Sequence, residues 1–221
     1  MIDFGVTNYL PRLCNDDCAM MIEALCALAL TMMVRSSDTT LDTTLDTTLV
    51  PLHDYIPDLL VDVRYATTDN FTGRVLYDTD VLRARLFVVE GLQRAQAEAR
   101  HRGYQLKVFD AYRPLRVQHV MWSIVPDERY VADPAKGSRH NRGCALDLTL
   151  CDSNGVEIPM GTGYDAFVPA AAATYTDLPA DILANRRLLF EIMDHAGFDV
   201  LPTEWWHFDA RGWEKYAILD E

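Results

Sequence analysis

The chain has 221 residues, 49% of them hydrophobic, which is enough for one domain with a real core and marginal for two. Lys and Arg number 20 against 33 Asp and Glu, a formal net charge of −13. That balance disfavours nucleic acid and anionic membrane surfaces as partners, and the apolar content excludes a disordered chain.

Residues 1–50 differ in texture from the rest and read as an N-terminal extension. Ala19–Val34 is apolar but short, and Glu23 interrupts it. It is too short for a stable membrane span. Asn15, Asp16 and Asp17 stand where a secretory leader would carry basic residues. The stretch reads as an amphipathic helix, and the compartment stays open between cytoplasm and periplasm. Asp38–Leu49 is Asp-Thr-Thr-Leu three times over, a low-complexity linker. The domain proper runs over 51–221. The five cysteines, Cys14, Cys18, Cys26, Cys144 and Cys151, form no regular framework. Cys144 and Cys151 read as buried small residues, not as a bridge.

From Pro51 the elements alternate. Leu59–Tyr65 reads as a strand, followed by a polar loop ending at Gly73. Asp80 is placed to cap a helix running to about Arg102, with Leu82, Leu86, Val89 and Ala97 inward. Gln105–Phe109 is a strand. Pro114 opens a helix to about Ile124. Ala145–Leu150 and Val156–Pro159, joined by Asp152-Ser-Asn-Gly155, predict a hairpin. Asp181–Ala196 predicts a helix with Ile182, Leu189, Ile192 and Met193 inward and Gly197 closing it. Phe198–Val200 and Trp205–Phe208 are short strands. The pattern argues for an α+β fold, with a largely antiparallel central sheet flanked by helices.

Two segments carry chemistry. Ser138–Asp147 holds His140 and Asp147, seven residues apart, with Gly143 between them. Glu204-Trp-Trp-His207 holds a carboxylate and an imidazole three apart. Catalytic zinc takes three N/O ligands and keeps a fourth position open for water. His140, Asp147 and His207 supply the three. Asp147 sits in an apolar strand, where an unpaired carboxylate is costly and a metal resolves the cost. Glu204, among Trp205, Trp206 and Phe208, is the candidate base on the water, with burial raising its pKa. In a regular strand residues 204 and 207 would face opposite sides, so the segment has to bend. Arg113, in Asp110-Ala-Tyr-Arg-Pro114, reads two ways. It is a surface or salt-bridge arginine, or a guanidinium held for a developing oxyanion. The other histidines (His53, His101, His119 and His195) read as ordinary polar residues.

The combination Ser-x-His-x-x-Gly-x-Ala-x-Asp at 138–147 with Glu-x-x-His at 204–207 resembles the zinc D,D-peptidases that share a fold with the hedgehog signalling domain. It is most similar to D-alanyl-D-alanine dipeptidases of the VanX type. Tyr65-Ala-Thr-Thr-Asp-Asn-Phe-Thr-Gly73, Asp110-Ala-Tyr-Arg-Pro114, Asp147-Leu-Thr-Leu150 and Met160-Gly-Thr extend the likeness over roughly Pro51–Trp213. The resemblance implies one Zn²⁺ per chain on His140, Asp147 and His207, with Glu204 as base and then acid. It implies Arg113 at the tetrahedral intermediate, Ser138 and Asp165 on the substrate ammonium, and Tyr65 in the pocket. The expected activity is hydrolysis of D-alanyl-D-alanine, so the partner is a small dipeptide. Two alternatives stand beside it: a cell-wall D,D- or L,D-carboxypeptidase or endopeptidase on the same fold, and a non-catalytic, zinc-stabilised binding module. The oligomeric state is left open.

Overall fold

A computed structural model describes residues 48–219. The apolar stretch 19–34 and most of the Asp-Thr-Thr-Leu repeat lie outside them. Two sheets form. Strand β1 (Leu49–Pro51) pairs antiparallel with β3 (Arg83–Arg85). The central sheet has five strands, β2 (Leu60–Val61), β4 (Gln105–Asp110), β5 (Ala145–Cys151), β7 (His207–Ala210) and β6 (Phe198–Val200), in that spatial order. Only the β2–β4 pairing is parallel. The α+β, largely antiparallel expectation holds.

Three helices of at least ten residues flank the sheet among the described residues: α1 (Leu86–His101), α2 (Leu115–Ile124) and α3 (Ala180–His195). Leu146 and Phe208 are cross-strand partners on one face. Phe190 of α3 meets that face, its ring 6.2 Å from Phe208. Alternation then sends Asp147 and His207 to the opposite face, where they line a cavity together with loop residues and Met121 of α2. No described helix is long and apolar enough to cross a membrane.

Several expectations change. The helix expected from Asp80 begins at Leu86, because residues 83–85 are taken by β3. Its buried stripe is Val88, Val89, Leu92, Ala95 and Ala99, with Ala97 exposed and Leu86 half-buried. The strand expected over Leu59–Tyr65 is two residues long and gives way to a 3₁₀ turn at Arg64–Ala66. The hairpin partner at 156–159 shrinks to a single bridge, Cys151 to Glu157. Asp152 Oδ1 accepts the N–H groups of Asn154 and Val156, and this tight turn uses the backbone a longer ladder would need. The last strand starts at His207, so Trp205 and Trp206 lie in the preceding turn. Cys144 and Cys151 are buried free thiols.

Gly143 ends the 3₁₀ turn His140–Arg142 with φ +68°. A Cβ there would sit 2.7 Å from Leu49 Cδ2 and 3.3 Å from Arg85 Cγ. The turn can therefore nest against the β1–β3 ribbon only with glycine. Gly143→Ala should destabilise the fold by about 1–3 kcal/mol, read by denaturant unfolding. An unchanged midpoint would mean the ribbon does not hold this turn.

Candidate active site

Strand pairing builds the site. Asp110 is the register partner of Asp147, and Asp147 is the register partner of His207. The three side chains form one row across β4, β5 and β7. A bulge between Val108 and Asp110 brings Asp110 into that row. His140 joins from the 3₁₀ turn just before β5.

His140 Nε2, Asp147 Oδ1 and His207 Nδ1 converge. Their separations are 3.2, 3.1 and 3.0 Å. The outer ring nitrogens are already engaged: His140 Nδ1 lies 2.6 Å from the Ala111 carbonyl, and His207 Nε2 lies 2.9 Å from Asp209 Oδ1. Donating there fixes each tautomer and leaves lone pairs on His140 Nε2 and His207 Nδ1. With both rings neutral, three electron-pair donors face one point, an arrangement that a cation relieves. Tetrahedral zinc with bonds of about 2.0–2.1 Å sets its N/O ligands about 3.3 Å apart, which fits this triad. It is the one group among the described residues able to hold an ion in this way.

Electrostatics agree with that fit. Burial works against charge on His207, but Asp147 and Asp209 overcome it and push its pKa up to about 10. Burial likewise opposes the Asp147 carboxylate, and the two imidazoles hold its pKa far below the usual range. The meeting point thus favours positive charge, for which a proton and a divalent cation compete.

Glu204 stands beside this point, Oε2 3.8 Å from His207 Nδ1. The turn before β7 settles how 204 and 207 share a side: Glu204 N–H donates to Leu201 O, and Leu201 N–H donates to His207 O. Burial, reinforced by Asp147, raises the Glu204 pKa to about 7 against the opposing pull of His207.

Arg113 is buried and oriented by Asp110, which accepts from its Nε and Nη2 at 3.0 and 2.8 Å. Gln118 Oε1 accepts from Nη1 at 3.1 Å. Three of the five guanidinium N–H groups are committed in this way, and two remain. Nη2 lies 3.7 Å from Asp147 Oδ2. Arg113 is therefore not a surface residue, while the salt-bridge reading holds through Asp110. Asp110 is fully buried and also accepts from Tyr77 Oη and Ala111 N.

Asp165 has φ +55° and accepts from Tyr65 Oη at 2.7 Å. Burial raises its pKa to about 8, Asp147 adding repulsion while the Tyr65 bond opposes. Ser138 Oγ donates to Asn141 Oδ1 at 3.0 Å. Asn141 in turn donates to the Arg113 carbonyl, tying the two motifs together. All eight residues singled out by sequence line one cavity of about 160 Å³. This is below the ~300–1,000 Å³ usual for drug-sized ligands.

Four functional neighbours escape sequence reading. Asp110 and Gln118 orient Arg113, Asp209 orients His207, and Tyr164 donates to Asp147 Oδ2 at 2.9 Å. Burial holds the Tyr65 and Tyr164 hydroxyls well above their usual pKa, so both remain donors. Asp209 had a signal: two residues beyond His207 in a strand, it shares that histidine's face.

A buried His-Asp-His triad beside a carboxylate and a fixed guanidinium, on a mixed sheet, defines a metallopeptidase-type centre. Residues 45–217 match the family described as D-ala-D-ala dipeptidase, Peptidase M15, and the chain belongs to that family. It is 38% identical over 183 residues to the D-alanyl-D-alanine dipeptidase of Escherichia coli K12, covering 83% of this chain and 91% of that one. It is 30% identical over 171 residues to the D-alanyl-D-alanine dipeptidase of Enterococcus faecium, covering 68% and 85%. Among solved structures, the LdcB LD-carboxypeptidase overlaps with a TM-score of 0.45 at 20% identity, over 76% of this chain and 69% of that one.

Asp209→Ala should leave the fold intact and weaken zinc binding about 10–100-fold, measured by chelator competition. Unchanged affinity would remove Asp209 from the support of His207.

Proposed function

We propose that the chain is a zinc-dependent dipeptidase that hydrolyses D-alanyl-D-alanine, with His140, Asp147 and His207 as the metal ligands. The observation that carries this is the convergence of His140 Nε2, Asp147 Oδ1 and His207 Nδ1 beside Glu204 and Arg113 in a small cavity. Zinc held there would polarise the scissile carbonyl and lower the pKa of a coordinated water to about 7.

The chain's own groups do the rest. Glu204 takes a proton from the attacking water and returns it to the leaving amine. Its raised pKa suits both tasks, and a cation in the triad would draw it down toward its ordinary range. Arg113 turns its uncommitted N–H groups toward the oxyanion that forms as the carbonyl becomes tetrahedral. Asp110 and Gln118 hold the guanidinium in place beforehand, so little reorganisation accompanies the reaction.

Asp165 is the candidate partner for the substrate ammonium, with Ser138 as a second acceptor. A carboxylate whose pKa burial raises gains most from an incoming cation. Tyr65 steadies it by donating to one oxygen, leaving the other for the ligand. A buried anchor for a free amino terminus favours dipeptides over polypeptides, because a blocked terminus would leave the carboxylate buried and unmatched.

Glu204→Ala should retain zinc and lose about 10²–10⁴-fold in kcat on D-alanyl-D-alanine, checked by metal analysis and product release. Near-normal turnover would remove the mechanism. Arg113→Ala should lose about 10²–10³-fold, chiefly in kcat. An effect confined to KM would make Arg113 a substrate clamp instead.

A further inference from the structure

A dipeptide is a zwitterion, and the contacts above account for its amino end and its scissile carbonyl only. Its carboxylate also has to enter the cavity, and an unpaired carboxylate in a confined site is costly. Three arginines line that cavity: Arg113, Arg129 and Arg139. Arg113 spends three N–H groups on Asp110 and Gln118 and directs the rest toward the Asp147 side. Arg129 is exposed and closed onto Asp127 by contacts from Nε and Nη2.

Arg139 is different. Its guanidinium lies 4.7 Å from the Trp213 ring centroid. Its Nε is buried without a hydrogen-bond acceptor. Its ion-pair partner, Asp209 Oδ2, stands at 3.4 Å, and that carboxylate already accepts from His207. Stacking on an indole fixes the plane of a guanidinium while leaving its two terminal nitrogens to donate. The next residue is His140, so the backbone that places a metal ligand also places this cation.

We infer that Arg139, stacked on Trp213, receives the C-terminal carboxylate of the dipeptide and so fixes which end of the substrate faces which side of the metal triad. The inference rests on the dipeptidase reading and adds the carboxyl subsite to it. A guanidinium whose two terminal nitrogens donate matches a carboxylate bidentately. With Asp165 toward the amino end and Arg139 toward the carboxyl end, the cavity complements a free zwitterion. An uncharged C-terminus would lose that contact.

The test compares D-alanyl-D-alanine with its C-terminal amide on the zinc-loaded full chain, using wild type, R139Q and R139K, with zinc content measured for each. The expected result is a rise of about tenfold or more in KM for the dipeptide in R139Q, with kcat and zinc content little changed. KM for the amide should be the same in R139Q as in wild type, and R139K should recover part of the loss. Equal losses on both compounds, or no loss on either, would overturn the carboxylate role while leaving wild-type turnover of the dipeptide intact. Wild-type protein that turned over neither compound would overturn the dipeptidase reading, and this inference with it.

Discussion

Three lone pairs meet at one point, and the surrounding structure is arranged to keep them there. His140 Nε2, Asp147 Oδ1 and His207 Nδ1 lie 3.0–3.2 Å apart because the outer nitrogens of both rings are tied elsewhere. Unrelieved, such a cluster costs free energy through repulsion and lost hydration. The sheet imposes it all the same. Asp147 is register partner to Asp110 on one side and His207 on the other. The cost of the arrangement is met when a cation binds, so metal affinity and the stability of this end of the sheet are linked.

The same row explains the rest of the centre. Asp110 holds Arg113, and Arg113 faces Asp147 Oδ2, the oxygen turned away from the two imidazoles. Tyr164 donates to that oxygen too, while Tyr65 donates to Asp165. Asp209 holds His207 and stands near Arg139. Negative groups therefore alternate with donors and cations around the cavity, each carboxylate having a partner. Asp165 and Glu204 are the carboxylates whose pKa burial raises most clearly here, to about 8 and about 7. One reads as awaiting a substrate cation, the other as exchanging a proton.

Much of this was legible in the sequence. His140, Asp147, Glu204 and His207 stood out because ionisable groups in apolar surroundings need a chemical reason. The bend between Glu204 and His207 followed from strand alternation, and the turn at Leu201–Glu204 supplies it. Asp110 was quoted within its motif but given no role. The bulge that brings it beside Asp147 depends on how two distant segments pair. The β1–β3 ribbon was missed for the same reason: nothing local in Arg83–Arg85 announces a partner at Leu49–Pro51. Tyr164 reaches Asp147 from a Gly-rich loop whose path no periodicity encodes. Local chemistry was readable; long-range pairing was not.

X-ray absorption at the zinc edge of the purified, zinc-loaded chain tests the central claim most directly. The account predicts one tightly held zinc per chain in a shell of nitrogen and oxygen only, at about 2.0–2.1 Å, with the outer-ring scattering of two imidazoles. Loss of the metal on simple dialysis, or a sulfur ligand in its shell, would contradict the assignment of His140, Asp147 and His207.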